Sequence, residues 1–175
     1  VTLFIEGEEE IGSPTFHDFL DTYRDRLAAD VIVVADSNNW KIGTPSLTTS
    51  LRGVVTVGVT LEVLDHALHS GMYGGPVLDA VTLMSRLVAT LHDDDGAVAV
   101  AGLTAYDDAT ADYSEEALRA DTGVLDGVTL SGRGSIASRL WTQPALSVIG
   151  MDVTSCDKAS NTLIPSCSAR LSLRV

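Results

Sequence analysis

Glu6-Gly7-Glu8-Glu9-Glu10-Ile11-Gly12-Ser13 follows directly on the apolar run Val1, Leu3, Phe4 and Ile5. A strand that ends in carboxylates places acids at the carboxyl edge of a sheet, where α/β enzymes build their sites. Adjacent acids repel one another there, and a divalent cation is the usual compensation. A second reading stands beside this one. Glu is favoured in a first helical turn by the helix dipole, and Ser13-Pro14 before an amphipathic stretch reads as an N-cap with Pro at N1. On composition alone the solvated helix start leads.

The neighbouring residues shift that balance. Phe16, Phe19, Leu20, Tyr23 and Leu27 recur at helical spacing, which predicts a helix over 15–29. Residues 31–35 form a second apolar run that ends at Asp36. Strand, helix and strand within forty residues predict a βαβ unit with a right-handed crossover. Glu8 to Glu10 and Asp36 then share one carboxyl edge, and the metal reading overtakes the solvated one. A polar loop follows over 37–50, with Asn38, Asn39, Gly43 and Pro45.

After Gly53 the pattern changes. Val55, Val57, Val59, Leu61 and Val63 alternate, as in a half-buried antiparallel strand. A glycine-rich turn spans 69–76, and apolar residues from Leu78 to Val88 predict a helix over 77–91. Asp93-Asp94-Asp95-Gly96 reads as a turn and 97–103 as a short strand. Helices are expected near 114–119 and 134–140, and strands over 145–153 and 163–175. From residue 53 onward this is an α+β arrangement, helices on one antiparallel sheet. The boundary between the parts, 1–52 and 53–175, falls near Leu51 to Gly53.

The formal charge of −13 comes from 24 acids against 11 bases, with no Lys/Arg cluster. Such a surface repels nucleic acid and anionic membranes, and no apolar stretch reaches the length of a membrane span. Cys156 and Cys167 fit no metal spacing and read as two buried free thiols in a reducing, cytoplasmic compartment. The chain opens inside one strand pattern and closes inside another, so it reads as an internal piece of a longer protein.

Four segments, in order, carry a resemblance. Residues 4–13 (Phe-Ile-Glu-Gly-Glu-Glu-Glu-Ile-Gly-Ser) resemble the active-site segment of the co-catalytic dizinc peptidases, the family of carnosine dipeptidases, aminoacylases and glutamate carboxypeptidases. Val33-Val34-Ala35-Asp36 resembles that family's second strand. Ser50-Leu51-Arg52-Gly53 resembles the junction into its lid, or dimerisation, domain. Leu68-His69-Ser70-Gly71-Met72-Tyr73-Gly74-Gly75 resembles its lid loop. The dipeptidase subgroup fits best.

The resemblance implies a partial catalytic domain over 1–52 (the βαβ piece) and an α+β lid domain over 53–175. It implies Glu9 as general base toward the attacking water, Glu10 and Asp36 as ligands of two different zinc ions, and His69 as an oxyanion donor in a partner subunit's site. Asn161-Thr162-Leu163-Ile164-Pro165 and Leu171-Ser172-Leu173-Arg174 resemble the substrate-holding part of the lid, with Arg174 on the substrate's C-terminal carboxylate. Two Zn2+ per subunit of the intact parent, a peptide substrate and a homodimer are implied, with Mn2+ or Co2+ as substitutes left open. An N-acyl-amino-acid amidohydrolase and a non-catalytic dimerisation module are the alternatives. The remaining ligands lie outside this chain, which alone is expected to bind zinc weakly and to be inactive.

Taken as residues only, His69 reads as a turn residue, Asp36 as an Asx cap and Arg174 as a surface strand residue. His17, His66 and His92 read as structural. Glu6 and Glu8 carry no role, although a one-residue slip of the acidic run exchanges Glu8 for Glu9.

Overall fold

The computed structural model describes residues 1–36 and 39–175. Ser37 and Asn38, in the polar loop expected over 37–50, lie outside them. The chain divides into two compact units, Val1–Thr49 and Ser50–Val175.

In the first unit, α1 (Phe16–Leu27) carries the aromatic face that the spacing predicts. Phe4 stacks on Phe19 with ring centroids 5.0 Å apart, and Phe19 meets Tyr23 at 4.8 Å. That aromatic row ties the N-terminal segment to the helix, yet none of the described residues in this unit is buried. The strands expected at 1–5 and 31–35 do not form. Both segments lack ladder partners and lie open: Ile5 is 81% exposed and Val33 84%. A parallel strand needs neighbours on both edges and helices on both faces, and this unit supplies neither. The βαβ expectation is corrected accordingly to one helix between two unpaired apolar segments. The expected cap also differs. Ser13 sits at φ +50° in the turn, α1 begins at Phe16, and Thr15 at its N-cap makes no side-chain cap bond. The Thr15 hydroxyl donates instead to Glu8 (2.6 Å).

The second unit is built on an antiparallel sheet of order β1-β5-β3, where β1 is Val54–Glu62, β3 Ala145–Met151 and β5 Ser166–Arg174. The pairing runs unbroken from Val54↔Arg174 to Glu62↔Ser166. It continues one residue further through the Val175 amide donating to the Gly53 carbonyl (3.1 Å). Opposite residues share a face. Val55, Val57, Val59 and Leu61 therefore lie with Leu173, Leu171, Ala169 and Cys167 on one side, while Thr56, Thr60, Arg170, Ser172 and Arg174 occupy the other.

Helix α3 (Ala80–Ala89) covers the apolar side, with Ala80 and Met84 fully buried against Cys167 and Ala169. Small side chains at three of those four positions allow helix and sheet to approach, and Met84 fills what remains. The cover is partial, since Val55 and Val57 at the other end of β1 stay 48% and 41% exposed. A short helix over Ser70–Tyr73 (α2) follows β2 (Leu68–His69), and β2 pairs antiparallel with β4 (Thr162–Leu163). Helices α4 (Glu115–Thr122) and α5 (Ile136–Trp141) lie where helices are expected.

The strand expected over 97–103 does not form. The Asp93 side chain accepts from the amides of Asp95 and Ala97, and this segment keeps one bridge, His92↔Val98. Alternating Ala has little strand preference. Cys156 is exposed in a 3-10 turn (Cys156–Lys158) rather than buried in a strand, whereas Cys167 is buried. The Cys167 thiol is pushed up by burial and then by the charges of Asp152 and Asp79.

Asp79 caps α3. Its carboxylate accepts from the Thr82 amide (2.9 Å) and hydroxyl (2.7 Å). Those bonds, the hydroxyl's foremost, hold it below the ordinary carboxylate range. Asp79→Ala is expected to lower the unfolding free energy at pH 7 by about 1 kcal/mol. A depressed folded pKa gives stability that is present above the unfolded value of about 3.9 and lost as pH falls through the folded one. Urea titrations of both proteins at pH 7 and pH 3 should therefore show the gap shrinking in acid. A gap equal at both pH values would remove Asp79 as the cause.

Candidate functional site

The acidic run forms a turn. Glu9–Ile11 is a short 3-10 helix closed by Gly12 at φ +87°, a backbone that favours glycine. The three successive acids diverge in role. Glu8 turns its carboxylate onto the Thr15 amide and hydroxyl, which fixes the loop against the start of α1. Glu9 and Glu10 are exposed, and their side chains make no hydrogen bond or ion pair among the described residues. Asp36 is likewise exposed and without such a contact. Glu6 has one carboxylate oxygen buried and unsatisfied. No three His, Cys, Asp or Glu side chains among the described residues stand together as a metal cage.

These carboxylates are suited to zinc in donor type, Glu9 and Glu10 on a turn and Asp36 beyond the second apolar run. They do not complete a coordination sphere.

In the second unit, β2 and β4 bring together two residues that lie 93 positions apart in sequence (162 less 69). His69 pairs directly with Thr162, and Leu68 with Leu163. Leu163 is buried while His69 and Thr162 are exposed, so the polar pair faces outward and the apolar pair anchors it. The Ser70 amide donates to the Asn161 carbonyl (2.9 Å) and the Ala80 amide to that of Ile164 (2.9 Å). Two short strands are thereby locked to the start of α3.

The His69 Nδ1 accepts from the Gly71 amide at 3.1 Å. A neutral ring so held carries its proton on Nε2, which leaves an outward donor. Gly71 favours this, because a Cβ there would stand 3.0 Å from the imidazole Cε1 and the ring would have to shift. Thr162 Oγ1 lies 2.7 Å from the Ser160 hydroxyl.

Arg174 is not in this cluster. It lies at the opposite end of β5, eight residues beyond Ser166, which at strand rise is about 26 Å. It is exposed on the helix-free face, with no acid within ion-pair distance among the described residues. Arg52, which the sequence reading left without a role, is half-buried nearby. Its Nη1 donates to the Gln143 carbonyl (3.1 Å). Its only sequence signal is its place before Gly53, where the alternation begins.

A cleft of about 290 Å3 elsewhere in this unit is lined by His92, Arg139, Gln143 and backbone of 96–98 and 131–132. It holds none of the residues to which the resemblance gives a catalytic, metal or substrate role. The acids beside it are engaged, since Arg133 bonds Asp93 (2.9 Å) and Asp95 (2.7 Å). None of the described helices is long and apolar enough to cross a membrane.

Three comparisons place this geometry among known proteins. The cysteinylglycine-S-conjugate dipeptidase of Corynebacterium striatum is 33% identical over 175 residues, 98% of this chain and 38% of that protein. The Cys-Gly metallodipeptidase dug1 of Schizosaccharomyces pombe is 29% identical over 173 residues, 92% of this chain and 36% of that one. The chain thus spans less than two fifths of the curated relatives it matches. The crystal structure of human carnosine dipeptidase 1 shares the fold with a TM-score of 0.71 at 23% identity, over 98% of this chain and 39% of that chain. Residues 49–175 match the family described as the peptidase dimerisation domain. On that match the chain belongs to the dimerisation-domain family of the M20 peptidases.

Proposed function

We propose that this chain is the part of a zinc-dependent dipeptidase that couples two active sites across a homodimer. In this reading, residues 53–175 are the lid and dimerisation domain and 1–52 an edge of the catalytic domain. The dipeptidase names of the relatives support the activity, as do the free carboxylates of Glu9, Glu10 and Asp36. The substrate is a dipeptide or short peptide with a free C-terminus. Free thiols at Cys156 and Cys167 suit a cytoplasmic setting.

One observation carries the reading: His69 and Thr162 pair on β2 and β4, with Thr162 four residues before β5 begins at Ser166, while Arg174 lies at the far end of β5, about 26 Å from Ser166. A dipeptide spans at most about 7 Å. A substrate gripped by all three residues must therefore take His69 and Thr162 from one subunit and Arg174 from another. The dimer is then a condition of catalysis.

Each residue has a part in that chemistry. A bound zinc supplies a water acidified toward neutrality. Glu10 and Asp36 would hold metal. Glu9 accepts the proton of the attacking water and returns it to the leaving amine. Nε2–H of His69 donates to the oxygen on which charge develops. Arg174 pairs with the C-terminal carboxylate, a group that an N-acyl amino acid also offers. The free amino end therefore separates the peptidase from the amidohydrolase.

In the intact protein, Glu9→Gln should keep about two zinc ions per chain by mass spectrometry while activity on a dipeptide falls at least about a hundredfold. An intact protein without zinc or hydrolysis would leave only a dimerisation module. The 175-residue chain alone should bind zinc weakly and cleave nothing.

A mixing experiment tests the shared site. Intact His69→Ala and Arg174→Ala proteins, each nearly inactive at dipeptide concentrations below KM, should regain about a quarter of wild-type activity on subunit exchange, because half the dimers are hybrids with one whole site. His69→Ala mixed with Thr162→Ala should regain none, since both defects travel on the same edge. Recovery in the second mixture would overturn the shared-edge reading.

A further inference from the structure

Arg52 and Arg174 present an unusual problem for a chain of charge −13. The ladder extends beyond Val54↔Arg174 to Gly53 and Val175. Period-two alternation then sets Arg52 on the face of Val54 and Arg174. From there Arg52 reaches across the end of the sheet to the Gln143 carbonyl, just before β3 begins at Ala145. Ala145 is the other cross-strand partner of Arg174. The guanidinium of Arg52 thus passes over the strand end that carries Arg174.

Both cations lie at this end of the sheet on one face, without a counter-charge. Neither has an acidic partner within 4.0 Å among the described residues, although 24 acids are available in the sequence. Burial, and then the positive charge of Arg174, press the Arg52 guanidinium below its ordinary pKa. Like charges near each other, one of them half-buried, repel unless an anion joins them. Gln143 satisfies one arm of the Arg52 fork, and the rest of the fork is free to accept a planar carboxylate.

We infer that Arg52 is the second arm of the carboxylate clamp: held on the Gln143 carbonyl, it joins Arg174 in gripping the substrate's C-terminal carboxylate. This rests on the dipeptidase reading for its substrate, and the Arg52 contact is what it adds. One guanidinium can grip a carboxylate but can swing with it. A second from the facing strand end fixes the carboxylate between two elements, and with it the distance to the scissile bond.

The test has two parts. Glycylglycine and glycylglycinamide are titrated separately into the 175-residue chain while the arginine Nε–H resonances are followed by NMR, assigned with Arg52→Lys and Arg174→Lys. Both resonances should move together with the free acid and neither with the amide. In the intact protein, Arg52→Gln should raise KM for a free-acid dipeptide about tenfold with kcat within about twofold. Arg52→Lys should recover part of that loss, and the thermal midpoint should stay near wild type. A still Arg52 resonance, or a fall in kcat alone, overturns the inference. Should Arg174→Gln raise KM while Arg52→Gln does not, the dipeptidase reading stands and the Arg52 contact falls. Should both resonances answer the free acid in a protein that cleaves no dipeptide, the clamp stands and the peptidase reading falls.

Discussion

The unbroken register between β1 and β5 is the constraint on which the rest of the second unit depends. Nine consecutive pairs, from Val54↔Arg174 to Glu62↔Ser166, leave no slack in the length of β5. One end of the strand receives α3 and the β2-β4 pair, and the other presents Arg174. A strand is a poor spring: its rise per residue varies by only a few per cent. The separation of Arg174 from the start of β5 is therefore a fixed property of the fold. A one-residue slip would also turn Cys167, Ala169 and Leu171 out of the core and Arg170 and Arg174 into it, so packing against Met84 guards the register.

Local pattern made part of this legible in the sequence. Alternation over 55–63 needs only the residues themselves, and so does the aromatic row of α1. The misses share a different cause. Apolar runs at 1–5 and 31–35 are strand-like in composition, but a strand exists only as part of a ladder, and none of the described residues pairs with them. Residues 97–103 failed because Asp93 closes a turn on the Ala97 amide and the Ala-rich run offers little in exchange. Ser13 lost the cap because Glu8 competes for Thr15.

The site was legible unevenly. Glu9, Glu10, Asp36, His69, Thr162 and Arg174 came from resemblance, residue by residue. The resemblance carried no information on which of them stand together. The neighbourhood of His69 and Thr162 arises from an antiparallel register between two-residue strands, too short to leave a periodic trace. Arg52 gave still less signal, because its contact is with a backbone carbonyl, and any residue at position 143 would supply one. Geometry also separates the acids: Glu8 spends its carboxylate on the loop, and Glu9 and Glu10 keep theirs for solvent.

Electrostatics gives the proposed clamp its particular form. A net charge of −13 repels an anionic ligand at a distance, but charges farther than about 8 Å are largely screened at physiological salt. Recognition of a carboxylate must then be local, from cations placed where no acid of the chain reaches them. Isolated surface arginines do this poorly, because a long side chain loses rotamer freedom when it grips. Arg52 avoids part of that cost by being half-buried and already bonded to Gln143. The mutual repulsion of Arg52 and Arg174, unfavourable in the empty edge, is relieved when a carboxylate arrives between them. On the proposed reading, that relief favours a free C-terminus over an amide more than either arginine could alone.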